Sequence, residues 1–161
     1  MMTQPTPFPP SGADPISAAA ALPEEAALQT LQRSGQRPLT FTGVELCMAM
    51  SFTPGSPFWY EVNVYRSDDN RFVVRVAMFT TAEDDPEVKR AWECESFGEV
   101  MDSLEIYDPA GDLHLGMPAD AVGQSALDLA AHALSLRARA AEARRQYAGL
   151  IGDLLYELQT G

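Results

Sequence analysis

FWYEVNVYRSDDNRFVVRVAMF, residues 58–79, is the stretch on which the fold turns. It reads as two strands, 58–66 and 71–80, joined through SDDN, whose residues favour turns. The register follows from the valines. If Asp68, Asp69 and Asn70 form a three-residue loop, Asn70 takes the left-handed position that asparagine tolerates. Val64 then faces Val74 and Val62 faces Val76, while Asn63 faces Arg75 with Glu61 diagonal to it. A two-residue loop would set Val62 against Arg75, a worse match. Both strands carry large apolar groups on both faces, so each face of the sheet needs a cover.

Upstream, residues 40–52 predict another strand, with Val44, Leu46, Met48, Met50 and Phe52 alternating onto one face. Pro54, Gly55 and Pro57 end it. Residues 23–34, PEEAALQTLQRS, predict a short helix: Pro23 suits the first helical position, Glu24 and Glu25 its positive end, and Gly35 its stop. Residues 1–22, rich in proline and alanine, predict a disordered tail. Downstream, residues 87–95 predict a strand with Val88, Trp92 and Cys94 on one side and Glu87, Lys89, Glu93 and Glu95 on the other. Ser96 and Glu99 form a capping box for a helix over 97–106, which offers Phe97, Val100, Met101 and Leu104 to the sheet. A turn at 108–111 and a short extended piece at 113–117 follow.

The last forty or so residues predict a long helix over 120–158, capped by Asp120. Leu127, Leu134, Ala141, Ala148 and Leu155 recur every seven residues, and Leu129, Leu136, Ala143 and Leu150 form a second row. The expected architecture is one α+β domain over 23–161: an antiparallel sheet of four to five strands spanning 40–95, one short helix and one long C-terminal helix. The short helix is expected to cover one sheet face. The long helix, from the same chain or from a dimer mate, is expected to cover the other, with Trp59, Tyr65, Val73, Ala77 and Phe79, through a seam that includes Leu134.

Charge narrows the partners. The chain of 161 residues has 11 basic and 23 acidic residues, a formal net charge of −12. Between Glu83 and Asp112 eleven acids face only Lys89 and Arg90. Such a segment repels phosphates and anionic lipid, so direct nucleic-acid and membrane binding are disfavoured. No apolar run reaches the length of a membrane span, and no basic segment followed by an apolar one marks a secretory signal. A cytoplasmic setting is therefore expected, with Cys47 and Cys94 as free thiols. Arginine supplies ten of the basic residues, a bias that with many alanines fits a GC-rich bacterial genome.

FTGVEL at 41–46, WYEVNVYRS at 59–67 and RFVVRV at 71–76 resemble a family of small bacterial proteins with the pattern F-T-G-x-x-L, W-x-E-x-x-x-Y-R-[ST], then an aromatic-Val strand. Phe41, Thr42, Gly43, Leu46, Trp59, Glu61, Tyr65 and Arg66 match. The resemblance implies a shared sheet and no catalytic activity. The turn lacks the family's glycine, and the acidic segment and long helix lie outside the match.

No phosphate-binding glycine loop, nucleophile elbow or zinc-protease motif occurs. His114 beside Asp112 is a possible acid–base pair; a solvated histidine explains it more simply. His132 and Asp128 have the spacing of a local helix pair. Asp68, Asp69 and Asn70 lack the rest of a calcium loop. Trp59, Tyr60 and Tyr65 suggest a base-stacking platform, which the charge opposes. Arg137, Arg139, Arg144 and Arg145 are expected to pair with acids. No catalytic residue, cofactor site or metal site is expected. The sequence favours a non-enzymatic protein-binding or adaptor protein that docks a basic protein partner through Glu87, Glu93, Glu95, Asp102 and Glu105. A homodimer through the C-terminal helix is a further possibility. The alternatives are an acidic inhibitor that mimics nucleic acid, or a small enzyme or ligand-binding protein with a pocket between sheet and long helix.

Overall fold

The computed structural model describes residues 26–83, 87–113, 123 and 125–160. Five strands, β1 (Ala27–Arg33), β2 (Gln36–Met50), β3 (Phe58–Ser67), β4 (Phe72–Thr80) and β5 (Val88–Cys94), precede helix α1 (Phe97–Ile106), a 3-10 turn (Pro109–Asp112) and helix α2 (Ala126–Thr160). The strands form an antiparallel meander in the order β1-β2-β3-β4-β5, so the fold is α+β. The central hairpin has the register that the valines demand: Val64 pairs with Val74, Val62 with Val76 and Asn63 with Arg75. Its loop is closed by a hydrogen bond from the Ser67 amide to the Arg71 carbonyl (2.9 Å). Asn70 takes φ 64°. Asn70→Gly should relieve the cost of that φ but lose the bond from Arg66 Nη2 to Asn70 Oδ1 (2.5 Å). The expected net change is within about 0.5 kcal/mol, neutral to mildly stabilising, measurable by thermal denaturation.

One face of the sheet carries the main core. Tyr60, Val62, Val64, Val74, Val76 and Cys94 meet Val100 and Leu104 of α1 and Ala143, Tyr147, Leu150, Ile151 and Leu154 of α2. Ser96 caps α1 as expected, its Oγ accepting from the Glu99 amide (3.1 Å). The Glu99 carboxylate reaches back one residue further than a capping box requires, to the Glu95 amide (2.8 Å). Two hydrogen bonds fasten the helices: the Tyr147 hydroxyl donates to the Leu104 carbonyl (2.5 Å), and Trp92 Nε1 donates to Ser103 Oγ (3.0 Å).

Both helices therefore lie on the same face, and the expected cover of the second face by the long helix is incorrect. Sheet curl provides the cover instead. β1 arches over so that the hairpin between β1 and β2 reaches β5: the Ser34 amide donates to the Lys89 carbonyl (2.8 Å), and the Lys89 amide donates to Ser34 Oγ (2.9 Å). Leu31, Tyr65, Val73 and Ala91 are buried inside the curl, with Leu39 and Phe41 against them. The residues read as a helix at 23–34 supply this cover as β1; those before Ala26 lie outside the described residues. Leu28 and Leu31 have helical spacing, but Gln29, Leu31 and Arg33 also alternate, and burial of Leu31 settles the competition. Gly35, expected as a helix stop, takes φ 71° in the two-residue turn between Arg33 and Gln36.

The heptad seam of the long helix also fails. Leu127 and Leu134 are 79% and 65% exposed, and the buried positions gather in the C-terminal half, from Ala143 to Leu154. Ser125 caps the observed helix, its Oγ accepting from the Asp128 amide (3.2 Å). The expected tail at 1–22, the Asp120 cap, His114 and the piece at 114–117 lie outside the described residues.

Candidate functional site

Among the described residues, β2 is paired on both sides over only part of its length. It pairs with β1 between Gln36 and Gly43, and beyond Gly43, among the described residues, with β3 alone. At Gly43 three strands come close: a Cβ built there would stand against the Arg66 carbonyl oxygen and lie 3.1 Å from Phe41 Cε2. A bulge between Glu45 and Cys47 then sets one extra residue, Leu46, into β2 and shifts the alternation. Beyond it Cys47 and Ala49 face the helices. Met48 and Met50, opposite Asn63 and Glu61, share a face as expected, but the bulge sets Val44, opposite Arg66, on the other; Leu46, Met48, Met50 and Phe52 are 43–49% exposed.

The backbone has a direction too. The Ser51 amide donates to the Tyr60 carbonyl (2.9 Å), so Ser51 and, by alternation, Ala49 and Cys47 turn their polar groups toward β3. Met48 and Met50 turn theirs outward. Among the described residues no strand meets that edge. Phe52 stands edge-on to Trp59 (5.0 Å), and Trp59 stacks on Phe79 (5.7 Å), so aromatic rings continue the methionine strip. Beside it lies a polar cluster: Arg75 Nη1 donates to Glu61 (2.9 Å) and to Asn63 Oδ1 (2.8 Å), and Asn63 Nδ2 donates to Glu45 (2.6 Å). Asn63 is buried, and these bonds satisfy its amide. The arrangement is an apolar strip on a strand edge that no described strand meets, beside a network in which one guanidinium and a buried amide hold two carboxylates.

The acids singled out from the sequence are not gathered into one patch of free charge. Glu93 and Glu95 share Arg71, at 3.3 and 3.9 Å, and Glu87 meets Lys89 at 3.6 Å. Asp102 and Glu105 are exposed on α1. Asp108 holds Arg144 at 2.9 Å; that hydrogen bond, with a second from the Ala110 amide, keeps its carboxyl below the usual range. Arg145 pairs with Glu142 on its own helix, and Arg139 lies over the Phe58 ring at 5.8 Å. Arg144 and Arg145 thus pair with acids as expected, Arg139 meets an aromatic ring, and no ion pair of Arg137 is seen among the described residues. Trp59 and Tyr65 lie on the sheet face opposite Tyr60, so the three do not make one stacking platform.

A cavity of about 490 Å³ lies between the end of α1 and the second half of α2, walled by Leu104, Tyr107, Tyr147, Ile151 and Leu155. It is a groove between helices. The sheet–helix interface itself is filled by the core. Among the described residues no group of three or more His, Cys, Asp or Glu side chains is placed to hold a metal. His132 lies on α2, and its Nε2 is buried without a partner among them. No helix among these residues is long and apolar enough to cross a membrane.

Both thiols are free and buried. Burial, with Glu157 and Glu45 adding to it, pushes Cys47 up to about 11. Burial also raises Cys94. The thiolate is the nucleophile, so at pH 8 both should react with iodoacetamide far more slowly in the native protein than in denaturant. Native labelling at the rate of the unfolded chain would contradict their burial. Comparison with family models, with curated proteins and with solved structures finds no match for this chain.

Proposed function

We propose that this chain is a non-enzymatic protein-binding module that takes an extended segment of a partner protein onto the edge of β2 that no described strand meets. The observation that carries this reading is the coincidence, over Val44–Met50, of outward backbone groups with exposed Leu46, Met48 and Met50. A strand added there gains main-chain hydrogen bonds, and alternate side chains give it selectivity. A bare edge is otherwise an aggregation hazard that proteins usually block with charge or proline. The net charge of −12 favours a segment with basic flanks. Asp102, Glu105 and the other exposed acids contribute mainly to the association rate, which salt lowers.

A photo-crosslinking residue at Met48, compared with the same residue at Asp102 and at Leu134, tests the proposal. The expected product is one partner joined at position 48 through an extended basic segment, diminished by Met50→Asp. Crosslinking at position 102 alone would move the interface to the acidic face. Crosslinking of position 48 to residues 1–25 of the same chain would mean that the protein covers its own edge.

A further inference from the structure

The seam that closes the curl gathers three cations in an acidic protein. Where the β1–β2 hairpin touches β5 there is a pocket of about 290 Å³ lined by Arg33, Ser34, Gln36, Lys89, Arg90 and Ala91, with Trp92 and Tyr107 as its aromatic wall. Three of the chain's 11 basic residues line it. We infer that this pocket binds the phosphate group of a small phosphomonoester.

The donors remain available after internal pairing. Arg33 spends its Nε on the Arg37 carbonyl (2.7 Å) and meets no carboxylate among the described residues. Arg90 approaches Asp112 through Nε and Nη2, both on Oδ1, at 3.2 and 3.1 Å, which leaves Nη1. Asp112 has only 7% of its side chain exposed and braces the guanidinium from the buried side. Lys89 meets exposed Glu87 at 3.6 Å, a pair that a better anion displaces at little cost. The backbone adds a fourth donor. Lys89 turns its amide and carbonyl outward to Ser34, so alternation turns those of Ala91 outward as well, and no backbone group among the described residues meets them. An edge amide between two guanidiniums and an ammonium is the donor set that phosphate oxygens take.

Two features limit the ligand. The volume lies just below the ~300–1,000 Å³ of ordinary ligand pockets, so the ligand is small. Trp92 and Tyr107, stacked on each other at 5.7 Å, offer a flat apolar wall to whatever the phosphate carries. The net negative charge does not forbid binding, because at physiological salt charges beyond about 8 Å are largely screened and the local cations dominate.

Calorimetry at pH 7.5 and physiological salt, with phenyl phosphate, inorganic phosphate and sulfate as probes, tests the inference. Phenyl phosphate should bind most tightly and sulfate least. Arg33→Gln and Lys89→Gln should each weaken phenyl phosphate roughly tenfold and together abolish its binding, while Arg145→Gln, which removes the same charge from α2, should leave it unchanged. In the parent protein, the Ser34 and Ala91 amide resonances should shift on titration, a readout independent of any variant's folding. Three results would each overturn the inference: no binding by about 10 mM phenyl phosphate, sulfate binding as tightly as phosphate, or Arg145→Gln weakening binding as much as the pocket variants.

Discussion

Gly43→Ala should destabilise the protein by about 3 kcal/mol, although it adds a single methyl group. The backbone of Arg66 on β3 occupies the place that a side chain at residue 43 would take, with the Arg66 carbonyl carbon 3.1 Å away. Rotating a side chain cannot relieve a clash with backbone, so β2 and β3 must move apart. Gly43 pairs with Ala27 on one side and with Ser67 on the other, so the displacement spreads through three strands. It would also disturb the edge-on contact between Phe41 and Tyr65 (5.4 Å), which lies inside the curl. Urea denaturation measures the loss. A change below about 1 kcal/mol would show that the strands are not so tightly apposed.

The second large effect lies on the long helix. Leu154→Ala should cost about 2–5 kcal/mol, because Leu154 is fully buried between α2 and the sheet and the truncation leaves a cavity. Leu134→Asp, twenty residues earlier on the same helix, should change stability by no more than about 0.5 kcal/mol. Leu134 is 65% exposed, so the charge enters water and no seam. The heptad rows alone give the opposite order for these substitutions. Equal losses from both, in the same denaturation experiment, would mean that the first half of α2 is packed in solution, against a second copy or another element.

The strand pairing was legible because valines on both strands admit one register and Asn70 supports one loop. The α1 cap was legible because Ser96 and Glu99 act within four residues of each other. β1 was not legible, since its seven residues have both periodicities and only the arrival of Leu31 beside Tyr65, Val73 and Ala91 decides between them. That is a long-range contact with no local trace. The error over the second face followed from it: with β1 read as a helix, the long helix was the largest apolar surface left. Two heptad rows in an alanine-rich helix mark where burial is permitted, and a partner surface is needed to make it occur. The glycine of FTGVEL was visible as a residue, while the close approach that requires it appears only once three strands are assembled.

The candidate edge was partly legible. Leu46, Met48, Met50 and Phe52 stood out as an apolar row, but alternation argued for burial. Their exposure depends on the bulge at Leu46, which shifts the alternation of β2. The paired acids were the reverse case: a dense negative segment in sequence, of which Glu87, Glu93, Glu95, Asp108 and Asp112 each meet a cation in space.

Site-resolved amide hydrogen exchange on the purified chain tests the central claim, a curled sheet closed at Ser34 and Lys89 with an edge of β2 that no described strand meets. The account predicts slow exchange at Val62 and Val64, measurable protection at Ser34, whose amide donates to Lys89, and exchange near the unprotected rate at Met48 and Met50. Protection of Met48 and Met50 comparable to that of Val62 would contradict it, because those amides would then already have partners and the edge would have nothing to offer another protein.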